Sequence, residues 1–232
     1  METTHQSRFT AGRHRGPHPG IIAVVYTCLF IASILVYFVL ARGNAFPRPY
    51  APAAELQHLY LEFAAAVRAN ALLQFGAAIP LGIFTAAVTS RLHFLGLRVT
   101  GVHIALFGGI AASLLVTLSA LCNWVLSQPG IVEDLPLMQA LRLLSFVTGG
   151  VGHTVALGLL MAGISVPCLL GGFAPRWIAW LGLVLAALAV LSTLSLVLPL
   201  LNVLLPVVRF GSYVWMIGTG FTLSKGLAAE RS

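Results

Sequence analysis

Charge is what this chain has least of. Only 8% of its 232 residues are Asp, Glu, Lys or Arg, where a soluble domain carries about 25%. With 59% hydrophobic residues and a mean hydropathy of +0.96, the chain lacks the polar surface that a domain in water requires. Acidic residues are the scarcest: six in all, none of them inside a long apolar run. That excludes a proton or cation pathway built on intramembrane carboxylates. Cysteine is also sparse. Cys28, Cys122 and Cys168 are far apart, with no C-x-x-C pair, and read as buried thiols rather than a disulfide or metal framework. No G-x-x-x-x-G-K-[ST], H-E-x-x-H or G-x-S-x-G motif is present.

What is present is apolar length. A helical span needs about 20 mostly apolar residues to cross roughly 30 Å of hydrocarbon, and a backbone in lipid must satisfy its own hydrogen bonds, so long runs mean helices. Six stand out: Ile21 to Leu40, Ala69 to Thr89, Val99 to Trp124, one within Leu137 to Cys168, Trp177 to Leu198, and Val207 to Leu223. The fourth is longer than one span needs. The sequence therefore predicts an all-α polytopic membrane protein. Residues 1–20 are expected to be a disordered basic tail, residues 21–226 the transmembrane domain and residues 227–232 a second tail.

The arginines and the lysine orient it. With both termini inside, Arg8, Arg13, Arg15, Arg91, Arg98, Arg176, Lys225 and Arg231 are inner. Arg42, Arg48, Arg68, Arg142 and Arg209 are outer, a split of eight against five that favours cytoplasmic termini. The net charge of +7 thus gathers at the inner face, where it suits anionic headgroups rather than nucleic acid. The first run, at 20 residues, exceeds the roughly 7–15 of a signal-peptide core and reads as a span. Trp124, Trp177, Trp180, Trp215, Tyr50, Tyr60 and Tyr213 fall mostly near run ends and read as interfacial anchors.

The fourth run holds "SFVTGGVGHTVALGLLMAG". Gly150, Thr154, Gly158 and Ala162 recur every four residues, a stripe that lets a neighbouring backbone approach. Arg142, Ser145, Gly149 and His153 form a polar stripe beside it. His103, on the third run, is the nearest match. His153 reads in three ways: as a hydrogen bond tying helices together, as a group handling substrate or protons, or as a haem or metal ligand. The mismatch in depth between the two histidines argues against the last, and no metal site or cofactor is specified.

Arg68, Arg142 and Arg209 each lie where an even-numbered run enters from the outer side. Three guanidinium groups there suit a carboxylate, phosphate or headgroup; mutual pairing with the outer acids is the competing reading. Between the first two runs, "AELQHLYLEFAAAVR" reads as an amphipathic helix on the outer leaflet, with Leu56, Leu59, Phe63 and Val67 apolar and Glu55, His58 and Glu62 polar. Pro49 and Pro52 precede it and suit its start.

The stretches "TSRLHFLGLR", "WVLSQPG" and "PRWIAWLGLVLAALAVLSTLSLVLP" resemble a bacterial family of small six-span integral membrane proteins catalogued only as a domain of unknown function. The resemblance implies a bacterial inner-membrane location and carries no site residues. The leading functional expectation is a protein that binds or moves a small amphipathic or anionic molecule through an outward-opening site. Arg68, Arg142 and Arg209 would hold its charge, and His153 and His103 would line its path. Two others remain: a membrane enzyme acting on a lipid or isoprenoid with His153 as acid/base, and an accessory subunit whose glycine seam meets a membrane-protein partner. No nucleic-acid partner is expected.

Overall fold

The computed structural model describes residues 16–44, 46 and 51–229. The basic tail with Arg8, Arg13 and Arg15, the residues Arg48, Pro49 and Tyr50, and Arg231 lie outside the described residues. Among the described residues there is no strand. Six helical segments are long and apolar enough to span a membrane: Pro19–Leu40 (α1), Ala64–Phe94 (α3), Thr100–Leu126 (α4), Leu135–Gly171, Arg176–Leu196 and Pro199–Ser224. The last three are built on α5 (Leu135–Phe146) and α6 (His153–Gly171), on α7 (Arg176–Leu191), and on α8 (Leu204–Ala229), which runs past the end of the sixth segment; α2 (Ala53–Glu62) precedes the second span. The architecture is all-α and polytopic.

Local chemistry sets the ends. Pro19 opens α1, where its missing N–H costs nothing. The Asp134 carboxylate caps α5 by accepting from Leu137 N at 3.1 Å. Gly172 ends α6 at φ 69°, a left-handed position that favours glycine. The fourth span is long because it is two helices. Between α5 and α6, Val147–Gly152 widens into a π turn at the glycine-rich "VTGGVG".

The spans form a closed ring, α1 against α3, α3 against α4, α4 against α6, α6 against α7, and α8 against both α7 and α1. The backbones of α4 and α6 approach closely. A Cβ on Gly108 would lie 2.6 Å from Leu160 N and 2.7 Å from Ala156 O, and Gly163 faces Gly101 and Ala105 in the same way. The stripe expected on α6 is only partly a seam. Gly158 does meet α7, with Ala189 Cβ 2.6 Å from where its own Cβ would be. Gly150, displaced by the π turn, lines an open space instead and would meet only Leu205 and Phe146 at 3.5 Å.

Three side-chain expectations change. Trp215 is not an interfacial anchor: it is 1% exposed and donates Nε1–H to Ser165 Oγ at 3.1 Å, tying α8 to α6. Cys122 and Cys168 are buried, but Cys28 is exposed on α1. The amphipathic helix forms as α2, yet Leu56, Phe63 and Val67 bury against Tyr37, Leu126, Val132 and Met138. Its apolar face packs on the protein, because the α4–α5 loop and the end of α1 offer it an apolar shelf.

Candidate functional site

In the half of the ring toward α2, the helices part around a cavity of about 590 Å³, within the roughly 300–1,000 Å³ of small-molecule sites. Its walls come from α1, α2, α3, α4, α5, the π turn and the start of α8. Aromatic rings dominate. Phe30, Tyr37, Tyr60, Phe146 and Phe210 line it, and Phe46 stacks on Tyr37 with centroids 3.8 Å apart. Phe210 and Pro206 line the cavity and are also exposed at the surface of α8.

Two arginines project into this apolar chamber, Arg142 from α5 and Arg209 from α8, and no carboxylate is among the lining residues. Arg142 is 8% exposed. Arg209 owes its place to the π turn. In a regular α-helix the His153 N–H would bond to Gly149 O, four residues back. Here it reaches Thr148 O instead, five residues back, and Gly149 O accepts from Arg209 Nη2. The guanidinium also lies 5.2 Å from the centre of the Phe30 ring. Its Nε is buried without a partner among the described residues.

Neutral polar groups complete the wall. Ser119 and Ser145 join α4 to α5, Oγ to Oγ at 3.0 Å. Asn70 donates to Ser33 O at 2.9 Å, joining α3 to α1. The Tyr37 hydroxyl and Asn202 Oδ1 are buried and, among the described residues, unpartnered. Burial pushes the Tyr60 phenol up to about 12 against the opposing pull of Arg142, so it stays a neutral donor. The chemistry on offer is cationic donors, neutral hydroxyls and amides, and flat apolar surface: a match for an oxyanion attached to a hydrocarbon or ring.

The structure sorts the five residues singled out from sequence. Arg142 and Arg209 share the cavity. Arg68 is not among the lining residues; it turns to the α4–α5 loop, donating Nη2–H to Ser127 O at 2.9 Å. His153 is fully buried behind the wall, its Nδ1 paired with Ala112 O of α4 at 2.9 Å and its Nε2 without a partner among the described residues. His103 is at the other end of the ring, exposed, its ring 5.6 Å from His93. It lies nine residues before Ala112, about 13 Å along α4, so the two histidines do not share a site. Tyr37, Asn70, Asn202 and Phe146 escaped the sequence reading. The only signal was a polar or aromatic residue within or just before an apolar run.

No family model matches the chain, no curated protein matches its sequence, and no solved structure matches its fold.

Proposed function

We propose that this protein binds or moves a small amphipathic anion through an outward-opening intramembrane site. The observation that carries this reading is the pair Arg142 and Arg209 in an aromatic cavity whose lining holds no carboxylate. A cation inside the membrane is costly unless paired, and Arg209 has one carbonyl, one ring face and no acid within salt-bridge distance among the described residues. A ligand oxyanion completes that set. Guanidinium donors take its oxygens, the Tyr37 hydroxyl and the Asn202 amide serve neighbouring polar atoms, and the rings cover its apolar part.

The same reading places the α2 end outward, in the inner membrane of a bacterium. Arginine asymmetry supports the direction. It sharpens once Arg142 and Arg209 are assigned to the cavity, leaving three arginines on the outer side against eight cations on the inner. The resemblance of the loops to the bacterial six-span family supports the location.

Native mass spectrometry of the detergent-purified chain tests the function. A bound anionic amphiphile is expected on the wild type and is lost on Arg209→Gln. A wild type that arrives bare and takes up neither decanoate nor hexanesulfonate overturns the reading.

A further inference from the structure

The cavity wall away from α8 carries polar groups that anion binding leaves unused. In the ring, α3 and α4 are separated from α8 by α1 on one side and by α6 and α7 on the other. α3 lines the cavity with Val67, Asn70 and Gln74, and α4 with Val116, Ser119 and Asn123. Each set repeats at i, i+3 and i+7, one face of a helix, with one apolar residue followed by two polar ones. One polar group of each pair holds helices together. Asn70 Nδ2 donates to Ser33 O and Ser119 Oγ to Ser145 O, both at 2.9 Å. Gln74 and Asn123 are half-buried, and their side chains make no hydrogen bond among the described residues. Neither ties one helix to another, so helix packing does not explain an amide at either place.

Helical rise gives their depths. The Asn70–Ser33 bond sets α3 level with α1. Gln74 is one turn, about 6 Å, further from the α2 end. Phe30, on the antiparallel α1, is three residues, about 4.5 Å, further in the same direction. The Arg209 guanidinium lies 5.2 Å from the centre of that ring, so Gln74 is at the depth of the anion seat. Ser113 Oγ donates to Ala78 O at 2.7 Å, one turn past Gln74. Thr117 is therefore the α4 residue level with Gln74, and Asn123 lies about 9 Å nearer the α2 end. The cavity is thus sorted by wall, guanidinium groups on α5 and α8 and open amides on α3 and α4. A carboxamide offers N–H donors and a carbonyl acceptor. An oxyanion uses only the donors, whereas a hydroxyl or an amide uses both.

We infer that Gln74 and Asn123 read a hydroxyl or amide group on the apolar part of the ligand, so that the site selects hydroxylated or amide-bearing amphipathic anions over plain alkyl ones. This rests on the anion-binding reading and adds to it the substrate class. The physical basis is an asymmetry in recognition. An apolar wall discriminates weakly over an added hydroxyl, but a wall built to hydrogen-bond one penalises the analogue that lacks it, because its own polar groups are then left unpaired.

The test is calorimetric titration of the full chain in detergent with matched pairs of anions. Butane-, pentane- and hexanesulfonate are each compared with the same chain bearing a terminal hydroxyl, which leaves the charge unchanged. In the wild type the hydroxylated anion of at least one pair is expected to bind roughly 3- to 10-fold tighter, as one or two net hydrogen bonds supply. In Gln74→Leu, Asn123→Leu and the double variant, each eluting as a folded species, the readout is that ratio within a pair. It is expected to shrink in at least one single variant and to fall to one or below in the double. A hydroxyl that gives no gain at any length in the wild type, or a ratio that survives in the double variant, overturns the selection. A wild type that binds none of the six sulfonates overturns the anion-binding reading beneath it. If a leucine variant does not fold, Gln74→Met and Asn123→Met, which keep an unbranched chain without the amide, give the same ratio.

Discussion

The approach of α4 to α6 makes one substitution diagnostic of the ring. Gly108→Ala adds a single methyl group, placed 2.6 Å from Leu160 N and 2.7 Å from Ala156 O. Both obstacles are backbone, so no side chain can swing aside. A comfortable contact is about 3.5 Å, and the helices must therefore part by about 0.8 Å or more. Overpacking of this kind costs about 1–3 kcal/mol. For a chain of this size each kcal/mol lowers the thermal midpoint by roughly 2–4 °C, so a fall of roughly 2–12 °C is expected. Gly150→Ala is the internal control. Its methyl group meets Leu205 Cδ1 and Phe146 Cε2 at an ordinary 3.5 Å, and its midpoint should be unchanged or slightly raised, since alanine favours helix by up to about 1 kcal/mol over glycine. Thermal unfolding of the purified full chain in detergent, followed by tryptophan fluorescence, reads both. An unshifted Gly108→Ala, or equal losses in the two variants, would refute the packing argument.

Other outcomes follow from the same contacts. Arg68→Ala frees the α4–α5 loop from its tie at Ser127 and should cost no more than about 1 kcal/mol, as an exposed contact, while hexanesulfonate affinity stays at the wild-type value. Ser165→Ala leaves Trp215 Nε1 without its acceptor; the loss should be of order 0.6 kcal/mol, typical of an interhelical hydrogen bond in a membrane, and visible in the thermal midpoint. In a cysteine-free background, Glu133→Cys and Arg98→Cys, both exposed and at opposite ends, should react with impermeant reagents from opposite sides of the membrane; labelling from one side refutes the orientation.

The spans were legible because lipid imposes a simple rule, apolar length, and six runs obey it. The excess length of the fourth run was legible too, but not its cause, since a π turn leaves no period of its own in the glycines around Thr148. The cavity was half legible. Arg68, Arg142 and Arg209 have the same address in sequence, each at the entry of an even-numbered run. What separates them is helical phase against neighbours: Arg68 meets Ser127, while Arg142 and Arg209 line the cavity. His103 and His153 were linked as polar residues on adjacent spans, yet ring order and depth put one at an exposed end and the other behind Gly149. A cavity arises where packed helices diverge, and divergence is a property of several elements together that no single run displays.

The central claim is that Arg209 holds an oxyanion in the cavity. Calorimetric titration of hexanesulfonate into wild type and Arg209→Gln measures it most directly. Losing a charged hydrogen-bond donor removes about 1.5–3 kcal/mol, so affinity should fall roughly 10- to 150-fold in a variant that still elutes as a folded species. Equal affinity in the two proteins would contradict the account.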